Sequence, residues 1–334
     1  MFKFKISAPG RIVLCGEHAL RYGNLVVMAS LDRRTTLKFF ELINDPRNII
    51  KIEFPDVNLS LNLPLEEVVN FVSSNDFINM ADDHRLLLKH VQYLITSNGL
   101  WRTYEQKFSL QTFFFLLYLI AYHEHLDIKS FLVHLTTQLP ISAGLGSSSS
   151  FAVCLAACFI HWARLQRGFH NNFNEQELSK IQTYAMFCEE AIQNYFFQDF
   201  SDICCYGNIA ISEYNSEIDD SNGILDVPRM KILLVDLEIP LNKFERAKQI
   251  AELKYDDPEF VGFYYNIYHK ISIRICKTLD KIIDSYRNRN YRELQNLYTA
   301  LQVSFFASLL TTILLYYILL SDCIYKIFEY IIIC

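Results

Sequence analysis

Glycine is scarce and unevenly placed in this sequence: there are ten among 334 residues, and the last is Gly262. Beyond that point no loop can be built from clustered glycines, the residues that accept left-handed geometry and close ligand approach most readily. Residues 303–334 also lack proline and carry only Asp322, Lys326 and Glu329 as charges. The nine cysteines include no Cys-x-x-Cys pair. Neither Cys154 with Cys158 nor Cys204 with Cys205 has the second half of a zinc site, so metal-knuckle and redox-motif classes fall away. The expectation is buried free thiols in a reducing compartment. No basic run interleaved with aromatics is present and the net charge is -6, which argues against a nucleic-acid surface. The opening "MFKFKISAPG" lacks the apolar core of a secretion signal, and a cytoplasmic location is expected.

What the chain has is length for two cores, with 51% apolar and 20% charged residues. "KFKISAPGRIVLCGEHALRYGNLVVMASLDRRTTLKFF" reads as two β-rich pieces about a turn, punctuated by Gly10, Gly16 and Gly23. The prolines between residues 45 and 80 suggest loops and short strands. From Asp82 to His123 the spacing is helical, with Leu86, Leu87, His90, Val91 and Leu94 on one face. Within it, "SLQTFFFLLYLIAYH" is too short to span a bilayer and reads as a buried core helix. "DIKSFLVHLTTQLP" is a strand, a glycine-serine loop follows, and a helix is expected over Phe151–Leu165. "NEQELSKIQTYAMFCEEAIQNYF" is an amphipathic helix, "NIAISEY" and "MKILLVDLEIP" are strands, and Pro240–Tyr298 is mostly helical. "SNGILDVP" marks the domain boundary.

The loop "PISAGLGSSSS" holds the chemistry. Gly144 and Gly146 let main-chain N–H groups approach a ligand, and the helix that follows leaves its first N–H groups without intrahelical acceptors. Orphan donors and the helix dipole together make an anion site. Ser147 to Ser150 are placed to cap the helix, or to offer a hydroxyl to a phosphate or to phosphate-bound Mg²⁺. No lysine follows the glycines and their spacing is not that of a dinucleotide fingerprint, so the loop is neither a Walker P-loop nor a Rossmann turn. Upstream, "APGRIVLCGEH" sets Arg11, Glu17 and His18 around a glycine-bounded hairpin that could orient a small polar substrate.

Taken together, "APGR…GEH" over Ala8–His18 and "PISAGLGSS" over Pro140–Ser148 resemble the first two motifs of the GHMP small-molecule kinases. "YGNLVVMASLDRRT" and "VCLAA" are similar to the branch that phosphorylates mevalonate. The resemblance covers about Lys5 to Gln302. It implies an α+β protein with the two-domain GHMP kinase fold: a ribosomal-protein-like N-terminal domain over 1–222 and a truncated ferredoxin-like C-terminal domain over 223–302. Residues 303–334 form an apolar tail. The implied reaction is transfer of the γ-phosphoryl of ATP, with Mg²⁺, to the hydroxyl of mevalonate. In that scheme Ser142, Ala143, Gly144, Leu145, Gly146, Ser147 and Ser148 hold the triphosphate. Ser148 and Glu189 ligate Mg²⁺, Arg11 matches the catalytic Lys/Arg, and Glu17 and His18 contact mevalonate. Glu190 neighbours the metal position.

The sequence departs from the family in three places. The register of the catalytic aspartate falls on Phe200, so Asp199 and Asp202 are both candidates for the base. The threonine expected after "VDLEIP" aligns near Lys243. The family's third motif, a C-terminal run of glycines, is absent. The tail that replaces it begins with 18 uncharged residues, Val303–Leu320. Val303-Ser304 can be encoded by the splice-donor sequence GTAAGT, which makes translated intron read-through one reading. A membrane segment is another, although flanking Lys/Arg are lacking. A lineage-specific tail is the third, and a homodimer is left open.

Overall fold

The computed structural model describes residues 1–16, 25–43, 46–72, 82–193, 201–212, 223–233, 243–319 and 332–333. Two compact units divide the chain. The first holds Met1–Gly10, Leu31–Pro140 and Gly146–Tyr206, and the second holds Arg11–Ser30, Ile141–Leu145 and Gly207–Cys334.

Strands β1 (Lys3–Cys15) and β2 (Val26–Glu41) pair with each other, and each contributes residues to both units. In the first unit, the Thr35–Glu41 end of β2 pairs antiparallel with β5 (Phe131–Thr137). β5 in turn lies parallel to β3 (Ile49–Phe54), and β3 pairs antiparallel with β4 (Leu59–Pro64). A parallel β3–β5 pair needs a long crossover. It is made by α1 (Leu65–Val72), α2 (His84–Ser97) and α3 (Tyr104–His123).

α3 is the centre of the core. Every residue from Ser109 to Ala121 is buried, as expected for a helix that is apolar all round. Its start is fixed by Thr103, whose hydroxyl accepts from the N–H of Gln106, and the Gln106 amide donates to the carbonyls of Val57 and Asn58. α2 is capped by Asp83, which accepts from the N–H groups of Arg85 and Leu86. Its buried face is Leu87, Leu88, Val91 and Ile95, while Leu86 is exposed. The expected face is thus turned by one position, because three consecutive leucines leave the helical phase undetermined by pattern alone.

Against α3 pack α4 (Ser147–Arg167) and α5 (Glu175–Gln193), with the short α6 (Ser201–Tyr206) packed on both α4 and α5. At the C-terminal end of α4, polar groups are linked without a break. His161 and His170 approach Nδ1 to Nδ1 at 2.6 Å, and His170 Nε2 lies 3.1 Å from Glu177 Oε2. Arg164 bridges Glu177 and Glu124, and Lys180 and Tyr184 also bond to Glu124. The Phe4 ring meets His161 edge-on. Among the described residues, α4 is long and apolar enough to cross a membrane by length and composition, yet most of its residues are buried within the protein.

In the second unit, the Val26–Ala29 end of β2 pairs with β6 (Ile209–Ser212), and β6 pairs with β7 (Gly223–Leu225). A small ladder joins β8 (Ile232–Leu233) to β9 (Ile332–Ile333). Three helices follow β8: α7 (Lys243–Asp256), α8 (Pro258–Arg287) and α9 (Tyr291–Leu319). α8 buries Val261, Tyr264, Tyr265, Tyr268, Ser272, Ile275, Leu279 and Ile282 at helical spacing. α9 runs unbroken through Val303, where the composition changes, and buries Leu301, Ser304, Phe305 and Ser308. The hydroxyls of Ser272 and Ser308 both donate to Cys15 Sγ, at 3.2 and 3.3 Å.

The seven described cysteines are free thiols. Cys15, Cys154, Cys158, Cys188 and Cys204 are buried, and Cys205 and Cys276 are partly so. Burial pushes Cys154 up to about 12 and raises Cys158 and Cys188 well above the ordinary thiol value.

Candidate functional site

In the second unit, the segment Ile141–Leu145 places Ser142 at φ 66° and Gly144 at φ 76°. Left-handed geometry is uncommon for serine and unstrained for glycine. Left-handed positions alternating along a loop are a backbone pattern that can gather successive N–H groups into an anion-binding nest. The Leu145 carbonyl accepts from the backbone N–H of Arg11 at 3.0 Å. The two motifs, far apart in sequence, therefore meet through the main chain. Arg11 is itself buried.

In the first unit, Gly146 continues the pattern at φ 72° and is the N-cap of α4. This corrects two expectations. The helix starts at Ser147 rather than Phe151, so the four serines form its first turn. No side chain caps it, because Ser147 already occupies the first helical position and Gly146 has no hydroxyl to offer. The first intrahelical bond is Ser150 N–H to the Gly146 carbonyl, 2.9 Å. The N–H groups ahead of it have no intrahelical acceptor and point out of the helix start.

The serines divide by helical phase, about 100° apart. Ser149 and Ser150 are fully buried, while Ser147 and Ser148 are half-buried. Ser150 Oγ donates to the Ala8 carbonyl at 2.9 Å, which ties the helix to the Ala-Pro-Gly end of the first motif. Ser149 Oγ donates to Glu189 Oε1 at 2.7 Å. This is a charge-assisted bond that joins α4 to α5. Ser149 and Ser150 lie just beyond the Pro140–Ser148 motif. The sequence signal was the serine run itself, longer than a phosphate loop needs, but sorting its members required the phase of the helix.

Of the other expected residues, Asp202 is buried in the first turn of α6, with its carboxylate accepting from the N–H of Ile203 at 2.6 Å. Glu189 stands near the C-terminal end of α5, and Glu190 follows it. Glu17, His18 and Asp199 lie outside the described residues. Thus the first unit holds Gly146, Ser147, Ser148, Glu189 and Asp202, and the second holds Arg11, Ser142, Ala143, Gly144 and Leu145.

Ser148 and Glu189 are hard oxygen donors, and Mg²⁺ is commonly held by one or two carboxylates together with substrate phosphates. Ser148 in the first turn of α4 and Glu189, bonded to the next serine, are donors of the kind that ion takes. Among the described residues, no group of three or more His, Cys, Asp or Glu gathers as a metal cage.

Residues 114–200 match the family model described as the GHMP kinases N terminal domain. Over that stretch the chain is similar to a GHMP kinase N-terminal domain. GHMP kinases are phosphotransferases with alcohol acceptors. Similar proteins include the mevalonate kinase of Bos taurus, 23% identical over 87% of this chain and 73% of that protein. The Gibberella zeae mevalonate kinase ERG12 is 22% identical over 87% of this chain and 59% of that protein. Among solved structures, the Methanococcus jannaschii mevalonate kinase superposes with a TM-score of 0.55 at 19% identity, over 81% of this chain and 71% of that one. The fold is the α+β fold of this GHMP kinase group.

Proposed function

We propose that the protein is an ATP-dependent small-molecule kinase that phosphorylates mevalonate to 5-phosphomevalonate. The observation that carries this reading is the run of left-handed positions at Ser142, Gly144 and Gly146 leading into α4, with Glu189 bonded to the helix's first turn. The naming of the similar proteins as mevalonate kinases supports the substrate.

In this reading the main-chain N–H groups of Ser142–Ser148 receive the phosphates of ATP, and the start of α4 adds its dipole. Ser148 and Glu189 would hold Mg²⁺, which when bound neutralises charge on the transferring phosphoryl group. Arg11 adds positive charge. Glu17 and His18 orient mevalonate, and Asp199 or Asp202 accepts the proton of the attacking hydroxyl. The chain's contribution is positioning and electrostatics rather than covalent chemistry.

The test is phosphoryl transfer from Mg·ATP to mevalonate, with galactose and phosphomevalonate as alternative acceptors. Ser148→Ala and Glu189→Ala should each lower kcat/KM by roughly 100-fold or more, the scale of losing one electrostatic contact to the transition state. Turnover that is indifferent to both would sink the assignment. A second reading, nucleotide binding without transfer, is favoured by the absence of any glycine after Gly262. It predicts stabilisation by ATP through ligand linkage without turnover.

A further inference from the structure

We infer that Ser149 is a positioning residue for the metal-nucleotide site, acting through Glu189. The inference rests on the kinase reading above. A glutamate side chain has three torsions, and its carboxylate samples many directions unless something fixes it. Here the Ser149 hydroxyl donates to Glu189 Oε1 at 2.7 Å. Ser149 is fully buried in the first turn of α4, so its own position is set by packing.

The neighbouring serines show that this turn sorts its hydroxyls by direction. Ser150 is committed to the Ala8 carbonyl, and Ser149 points to Glu189. Ser148, half-buried and one step back along the helix, occupies a third direction. The pair Ser148 and Glu189 therefore comes with an orienting group built into the same helical turn. Partners of this kind, which aim a metal-binding carboxylate, typically change metal affinity about 10–100-fold when removed.

The experiment measures ATP affinity by titration calorimetry in excess Mg²⁺ and in EDTA, for the full chain and for Ser149→Ala. Alanine favours the helix and removes one oxygen, and the unliganded melting temperature checks that the fold persists. In the unsubstituted chain Mg²⁺ should tighten ATP binding. In Ser149→Ala that tightening should shrink about 10-fold, with the affinity in EDTA unchanged. Ser149→Thr, which keeps the hydroxyl, should restore it.

An equal Mg²⁺ effect in Ser149→Ala and the unsubstituted chain would overturn the inference. So would equal weakening in Mg²⁺ and in EDTA, which marks damage to the loop instead. Failure of the unsubstituted chain to bind ATP at all would overturn both this inference and the kinase reading. Normal binding with an indifferent variant would remove only the role of Ser149.

Discussion

The hydroxyl of Ser150 donates to the carbonyl of Ala8 at 2.9 Å across 142 positions of sequence, with both groups buried. The bond links the start of α4 to the Ala-Pro-Gly end of β1. Ser150→Ala leaves that carbonyl without this donor, a loss of about 1–3 kcal/mol. The melting temperature should fall by several degrees, while the ratio of ATP affinities with and without Mg²⁺ stays fixed. Thermal melts and calorimetry on Ser150→Ala beside Ser149→Ala would show whether adjacent serines divide into stability and positioning.

Acid should loosen the C-terminal end of α4. Burial, followed by the neighbouring charge of His170, depresses His161 to about 4 from its ordinary value near 6.5. The unfolded chain therefore binds the extra proton first. Stability is full above about pH 6.5 and is lost as pH falls toward 4, by about 1–2 kcal/mol after solvent screening of a partly buried ring. The carboxylates of Glu124 and Glu177 are held below their ordinary value once their cationic partners outweigh burial, so their contribution disappears at lower pH. Melts from pH 7.5 to 5 should show a slope that His161→Asn flattens. An unchanged slope would mean that the histidine pair is not the titrating group.

Gly16 sits at φ 90°, and a Cβ there would lie 2.6 Å from the Leu25 carbonyl oxygen. Gly16→Ala combines left-handed strain with a backbone clash. It should cost more than the roughly 1 kcal/mol of an ordinary αL substitution, and should appear as reduced soluble yield and a lower melting temperature.

A chain ending at Gln302 loses Ser304, Phe305 and Ser308, all buried on α9, and one of the two hydroxyls on Cys15. Burial of Phe305 alone accounts for about 1.5–3 kcal/mol. The shortened chain should therefore melt well below the full one. Val303, Phe306 and Leu310 are 54%, 60% and 51% exposed on the other side of the same helix. Their replacement by Gln should change stability by less than about 0.5 kcal/mol each.

These contrasts show what the sequence could and could not disclose. α3 was legible because continuous apolar composition with no breaker leaves a buried helix as the simplest reading. The strands around Phe39 and Val133 were legible from β-branched and aromatic alternation. The left-handed turns of the glycine-serine loop were legible because Gly144 and Gly146 accept that geometry most readily. The orientation of α2 was not, since Leu86, Leu87 and Leu88 fit several phases. The continuity of α9 through Val303 was hidden by composition. When nearly every residue is apolar, the buried face is marked by Ser304 and Ser308, small polar residues that a hydrophobic pattern discards. The roles of Ser149 and Ser150 depended on where the helix begins, four residues earlier than the apolar run implied.

The buried thiols have a practical corollary. Five of the seven described cysteines lie sealed inside, and burial keeps Cys154, Cys158 and Cys188 in the unreactive protonated form. An alkylating reagent can reach them only when their surroundings open. Cys154 and Cys158 lie within α4, Cys188 precedes Glu189 on α5, and Cys15 closes β1. The molecule thus carries its own reporters of local breathing. Site-resolved labelling rates at these four positions would rank how often the surroundings of α4, of α5 and of the end of β1 each open, with no probe introduced.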